Sequence, residues 1–318
     1  MSLRRGVVGE ASALGHPSGS SKKSAKSALR LSESLQAFIA HAPQRQRVAA
    51  DPVQFPHRYI NPRDVEVSGL LAASLAYGRV ELFAPKVNAL LQQMGPSPSE
   101  YVKSLTLPRA RRLLSNFVYR FNVGADLGVL LLGMGRVLQK HGSLERQFAL
   151  CLQESRGLHG ALSGFTAALR DVPMAPLTRA LGDVRGLDHL LPSPLGPGAA
   201  KRLNLFLRWM VRGPDEVDFG IWRQISPSAL VIPLDTHIGR IAKRLGLTQR
   251  NDLSWRTAEE VTAALRQVDA EDPVRFDFAL CHHGMAGICP PTPYTPHCVP
   301  CLLRPACRVG QRRVRHGV

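Results

Sequence analysis

Leu195-Gly196-Pro197-Gly198-Ala199-Ala200-Lys201-Arg202 is a glycine turn that runs straight into an apolar segment, Leu203-Asn204-Leu205-Phe206-Leu207-Arg208-Trp209-Met210-Val211. Glycines let the backbone turn tightly. The helix they open offers unpaired N–H groups and the positive end of its dipole, a competent seat for a phosphate. An ordinary helix–helix turn is the plainer reading of the same residues. Lys201 sits at the helix start, where the positive end lowers an amine's pKa and favours the neutral form that Schiff-base chemistry needs. Taken alone, Lys201 is equally well a solvated surface charge. Downstream, Ile232-Pro233-Leu234-Asp235-Thr236-His237 begins a helix whose apolar face is Ile238, Ile241, Ala242 and Leu245. Asp235 is its expected N-cap, and capping would hold the carboxylate ionised and oriented for chemistry as well.

Working outward, helical periodicity dominates and alternating β-type stretches are hard to find. A strongly apolar helix is expected over 65–77, capped by Asp64, and a second over 80–94. Further helices are expected near 98–104, 108–115, 125–140, 144–155, 159–170, 199–212, 216–225, 236–246, 256–267 and 272–283, with a looser stretch at 171–198. No repeat of fixed length is found. The pattern reads as an all-α protein with two helical lobes and a cleft between them. Residues 1–33 read as a disordered basic tail, 34–288 as the helical domain, and 289–318 as a cysteine loop with a basic C-terminal tail.

The chain carries 41 Lys and Arg against 24 Asp and Glu, a formal net charge of +17 over 318 residues. Six bases and one acid lie in residues 1–30, so most of the excess belongs to the remainder. Such a balance points to a polyanion, nucleic acid first and an anionic membrane second. No apolar run approaches a membrane span and no signal peptide is evident, so a soluble, cytoplasmic protein is expected.

Cys289, Cys298, Cys301 and Cys307 are separated by eight, two and five residues. A single Cys-x-x-Cys pair flanked by two lone cysteines is not the two-pair spacing of a zinc ribbon. Four thiolates on a proline-punctuated loop suit a 4Fe-4S cluster better. Zinc, with help from His282, His283 or His297, and plain reduced thiols are the other readings. Cys151 and Cys281 have no metal-spaced role.

Hairpin, lysine, an Asp-Thr-His context and a Cys-x2-Cys-x5-Cys tail, in that order, resemble the helix-hairpin-helix DNA glycosylase superfamily in its endonuclease III-like, iron–sulfur branch. Leu70-Leu71-Ala72-Ala73-Ser74-Leu75-Ala76-Tyr77 looks like that superfamily's early core helix, and the Lys201–Arg212 phrase looks like a bacterial family of unassigned function within it. The resemblance spans about 65–307. It implies base excision on double-stranded DNA by a monomer associated with the nucleoid. Asp235 would stabilise the cationic sugar and Lys201 would form a Schiff base. Gly196 and Gly198 would hold phosphates, and Tyr77 and Arg79 would enter the base stack. Arg202 and Arg208, with Arg212, Arg240 and Lys243, would contact the backbone. Three departures leave the substrate open: Lys201 and Asp235 are 34 positions apart, further than in that branch, Lys201 sits one residue further past its second glycine, and the first cysteine interval is longer. A non-catalytic nucleic-acid-binding protein and an iron–sulfur redox sensor are the competing readings.

Overall fold

Asn61 starts the central helix, Pro62–Leu75: its side chain accepts the Arg63 N–H at 2.8 Å, and Pro62 supplies the φ of a first turn. From Asp64 to Leu75 every residue of this helix is buried. Asp64, expected as the cap, instead accepts the Ser99 N–H at 2.8 Å and the Ser97 hydroxyl at 3.0 Å, which ties in the Pro98–Lys103 helix. Glu66 is fully buried and accepts from Arg63 at 2.7 Å, from Trp222 Nε1 at 2.9 Å, and from the Leu144 and Glu145 N–H groups at 3.2 Å each. The last two are first-turn donors of the Leu144–Glu154 helix, which no intrahelical carbonyl can satisfy. One carboxylate thus joins two distant parts of the chain to the central helix.

The computed structural model describes residues 19–316, with side chains described for 26–312. It is 62% helix, in agreement with the all-α expectation. Among the described residues, β-structure amounts to the two-residue antiparallel pairing of Val118–Tyr119 with Asn122–Val123. Helices stand close to their expected places at Val80–Met94, Gly124–His141, Leu144–Glu154, Leu158–Arg170, Thr236–Leu245 and Trp255–Arg266. The looser stretch holds two short ones, Met174–Leu181 and Leu187–Leu190.

Two expectations fail. Residues 19–33 belong to a helix, Gly19–Ala40, where no helix was expected before residue 34; residues 1–18 lie outside the described residues. Residues 216–225 are not helical. Their backbone runs past the end of the Lys201–Val211 helix, where the Phe219 and Trp222 N–H groups donate to the Trp209 and Met210 carbonyls at 2.8 and 2.9 Å. Those carbonyls belong to the last turn and have no partner within the helix.

The Lys201–Val211 helix crosses the central helix so closely that a Cβ on Gly69 would lie 3.0 Å from Met210 Cε. One connected apolar cluster runs from Leu35 to Leu303, beside a smaller one of Ala125, Val129 and Leu177. No helix among the described residues is long and apolar enough to cross a membrane.

Candidate active site

Asp235 caps the Thr236–Leu245 helix through one oxygen: Oδ1 accepts the His237 and Ile238 N–H groups at 2.9 and 2.8 Å. The other oxygen is thereby turned towards Lys201, the first residue of its own helix, with Nζ at 3.3 Å. The Cys281 thiol donates to the same Oδ2 at 3.5 Å. Cys281 lies on the Asp277–Met285 helix, which packs tightly on the Asp235-capped helix: a Cβ on Gly284 would lie 2.8 Å from His237 Cβ. The sequence placed Lys201 and Asp235 in one site, and the fold brings them together.

The lysine's charge differs from expectation. Burial presses the Lys201 pKa down, but the Asp235 carboxylate pushes it up and prevails, so the group lies above the ordinary lysine value. At rest it is an ammonium rather than a neutral amine. Burial raises the Asp235 carboxyl, while the Lys201 charge and then the Ile238 N–H hold it below the usual carboxylate range overall. Burial drives the Cys281 thiol well above its ordinary value, with the Asp235 and Asp277 carboxylates adding to the effect.

A pocket opens beside the pair, with about 560 Å³ of free space counting what is continuous with solvent. Gly78, Val80 and Phe83, Lys201 and Leu205, and Asp51, Asp277, Cys281 and His282 are among its lining residues. Asp235 does not line this pocket but touches Lys201 and Cys281, which do. Asp277 is bound to Arg208 through Oδ2 at 2.7 Å, while its buried Oδ1 has no hydrogen-bond partner. Burial raises the Asp277 pKa to about 6 against the pull of Arg208.

Gly196 and Gly198 do not use left-handed backbone; that conformation falls on Ala200, at φ 48°. A Cβ on Gly198 would meet nothing within 4 Å, so the turn leaves its backbone open. Arg79, just past the central helix, is exposed.

Three of the expected DNA contacts are engaged within the fold. Arg208 is 1% exposed. It is locked between Asp277 and Asp218, the latter at 2.9 Å. It also lines the pocket beside Lys201. Arg202 donates to the Ser74 and His189 carbonyls and lies over the Tyr77 ring at 5.0 Å. Burial pulls its pKa to about 10, which leaves it charged at neutral pH. Tyr77 donates its hydroxyl to Asn122 Oδ1 at 2.6 Å and to the Tyr119 carbonyl at 3.0 Å, and the Tyr119 hydroxyl donates back to the Tyr77 carbonyl. Burial pushes the Tyr77 phenol up to about 12. The ring staples two segments together. Gly78 completes this junction with φ 78°: a Cβ there would lie 2.7 Å from Arg120 Nη1. Arg212 is likewise tied to Asp272 at 2.8 Å.

Cys289, Cys298, Cys301 and Cys307 line a second pocket, with about 490 Å³ of open space. Burial raises the Cys301 thiol pKa, and the neighbouring Cys289, Cys307 and Cys298 raise it further. Arg244 Nη1 donates to Cys289 Sγ at 2.9 Å, and the Gly310 N–H donates to Cys307 Sγ at 3.2 Å. Donors aimed at sulfur favour the thiolate, the form that ligates metal. Among the described residues, no three His, Cys, Asp or Glu side chains are gathered tightly enough to hold one ion; the four thiols share a pocket rather than a point. His283 Nε2 stands 3.8 Å from Cys301 Sγ, whereas His282 turns to Asp51.

Asp51, Cys281, Asp277 and Arg244 all escaped the sequence reading as site residues, and His282 was read only as a possible zinc ligand. Arg244 had a signal: it lies on the Asp235-capped helix, two turns on, where a basic side chain can reach the cysteine loop. Asp51 and His282 meet across 231 positions, and nothing in either neighbourhood announces the other.

A helical chain with a paired lysine and aspartate at a pocket, and four cysteines around another, defines the class. A family model described as a protein of unknown function (DUF2400) matches residues 51–286, well over half the chain. The chain belongs to that family. The match takes in Asp51, Lys201, Asp235 and His282 and stops short of the four cysteines. A comparison with curated proteins finds no match.

Proposed function

We propose that the chain is a DNA base-excision enzyme, a glycosylase with abasic-site lyase activity, acting on double-stranded DNA at the nucleoid. The observation that carries this reading is the 3.3 Å pairing of Lys201 and Asp235 beside a pocket. The short Leu187–Leu190 helix, the glycine turn and the Lys201 helix are read as the helix-hairpin-helix element. The net charge of +17 supplies attraction to the phosphate backbone.

A stacked base hides its sugar carbon, so the nucleotide is first flipped into the pocket. Lys201 must then lose a proton, and Asp235 Oδ2 is the adjacent acceptor. The neutral amine adds to C1′ as the base leaves with the electron pair of the glycosidic bond. Ring opening yields a Schiff base, from which elimination breaks the strand. Asp235 also faces the positive charge that grows on the sugar.

The four thiols fit a 4Fe-4S cluster: they share one pocket, and Arg244 and Gly310 direct donors at two of the sulfurs. Such a cluster would order the loop that carries Arg304 and Arg308; zinc is the other occupant of the same donor set.

One observation favours a non-catalytic DNA-binding protein instead: the raised pKa of Lys201, which keeps the nucleophile protonated. Strand scission of an abasic-site duplex separates the two. Cleavage by the wild type, lost in both Lys201→Ala and Asp235→Asn, supports the enzyme. Salt-sensitive duplex binding without cleavage or base release supports the binder.

A further inference from the structure

Consecutive residues of the Asp277–Met285 helix face two different acid–base groups. Cys281 turns its thiol to Asp235 Oδ2, and His282 meets Asp51, with Nε2 2.9 Å from Oδ2. Successive helix residues point about 100° apart, so the two contacts lie on adjoining sides of the helix. Asp51, His282, Cys281 and Lys201 all line the same pocket. The Lys201–Asp235 pair suffices for chemistry at the sugar and makes no use of His282.

The second pair is held as firmly as the first. His282 is 6% exposed and Asp51 9%. Asp51 Oδ1 accepts the Val53 N–H at 2.9 Å, which fixes Oδ2 towards the imidazole. The Phe278 ring packs on the imidazole with centroids 4.3 Å apart and restricts its tilt. A histidine with one ring nitrogen held by a carboxylate keeps the other for proton exchange.

We infer that Asp51 and His282 form a proton-donating dyad for the departing base, a second catalytic centre in the pocket that rests on the base-excision reading. The His282 imidazolium gives its Nδ1 proton to a ring nitrogen or carbonyl oxygen of the flipped base as the C1′–N bond breaks. The bond's electron pair leaves with the base, which departs neutral. His282 ends as a neutral imidazole, its Nε2–H still on Asp51, while C1′ takes the electron pair of the Lys201 amine. The ligand class is therefore a flipped nucleobase that accepts a proton as it leaves. An abasic sugar has no base to protonate, so its opening does not involve the dyad.

That difference supplies the test. Full-length wild type, His282→Gln and Asp51→Asn are compared in two assays. One is single-turnover base release from duplexes bearing 8-oxoguanine, hypoxanthine, uracil or thymine glycol; the other is borohydride trapping on an abasic-site duplex. The wild type is expected to release at least one of these bases. Both variants should lose about 100-fold or more of that rate, with trapping within about twofold of wild type, which also reports that they are folded. Base release retained in the variants overturns the dyad. Loss of both activities together assigns the pair a structural role and overturns it too. A wild type that traps the abasic site but releases no base overturns the dyad while leaving the lyase standing. A wild type that does neither removes the base-excision reading itself.

Discussion

Lys201 Nζ and Asp235 Oδ2 stand 3.3 Å apart at the starts of two helices, 34 positions apart in the chain. Asp235 splits its two oxygens between capping and pairing, and the two jobs are separable. Asparagine caps a helix about as well as aspartate does, whereas alanine loses about 1 kcal/mol. Asp235→Asn is therefore expected to keep the cap while giving up the Lys201 pair, so it should melt below wild type and lose strand scission. Asp235→Ala should lose scission too, and about 1 kcal/mol more stability than Asp235→Asn in denaturant titrations.

The same pair sets a pH window. Lys201 is raised, so its contribution to stability is complete below the ordinary lysine value of 10.5 and fades as pH climbs through the raised value. Asp235 is lowered, so its contribution is complete above 3.8 and fades as pH falls through the lowered value. The stability difference between wild type and Lys201→Met should be flat from about pH 5 to 9 and change outside those limits. A difference that varies steeply across neutral pH would show that the pair is not formed.

Arg208 holds Asp218 and Asp277 in a place where all three are buried. Removing one partner of a buried ionic group typically costs about 3–5 kcal/mol. Arg208→Ala should destabilise the chain by that order in chemical denaturation. Its folded fraction should bind duplex DNA with an unchanged salt dependence, since no phosphate contact is lost.

Tyr77→Phe removes the hydroxyl bonded to the fully buried Asn122 Oδ1. An acceptor left unpaired in the interior costs about 1–3 kcal/mol. The expected result is a lower melting point without a specific loss of DNA affinity; a variant of wild-type stability that binds DNA poorly would restore the wedge reading.

The cysteine pocket should yield iron and acid-labile sulfide in equal amounts from protein purified without oxygen. Replacing Cys301 should lose both. Zinc in place of iron would assign the site to the other metal.

The legible parts of this chain were local. The Val80–Met94 helix and the Ile238, Ile241, Ala242 and Leu245 face of the Asp235-capped helix follow from apolar spacing, and the structure buries that face. The strand-like course of 216–225 was missed because Val217 and Trp222 are buried by packing on distant segments, including Glu66. Gly213-Pro214 and Gly220 were the breakers that argued against a helix there. Arg208 was also readable: it sits among Leu205, Phe206, Leu207, Trp209 and Met210, a setting in which a cation is more often buried with partners than exposed. The meeting of Lys201 with Asp235 was suggested by family resemblance rather than by spacing. Asp51 with His282 was not suggested at all, because long-range pairing is decided by how helices pack.

Borohydride trapping on an abasic-site duplex, with the adduct mapped to its residue, tests the proposed chemistry most directly. A covalent adduct on Lys201, absent in Lys201→Ala, is the expected result. No adduct from wild-type protein that demonstrably binds the duplex, or an adduct mapped to a different amine, would contradict it.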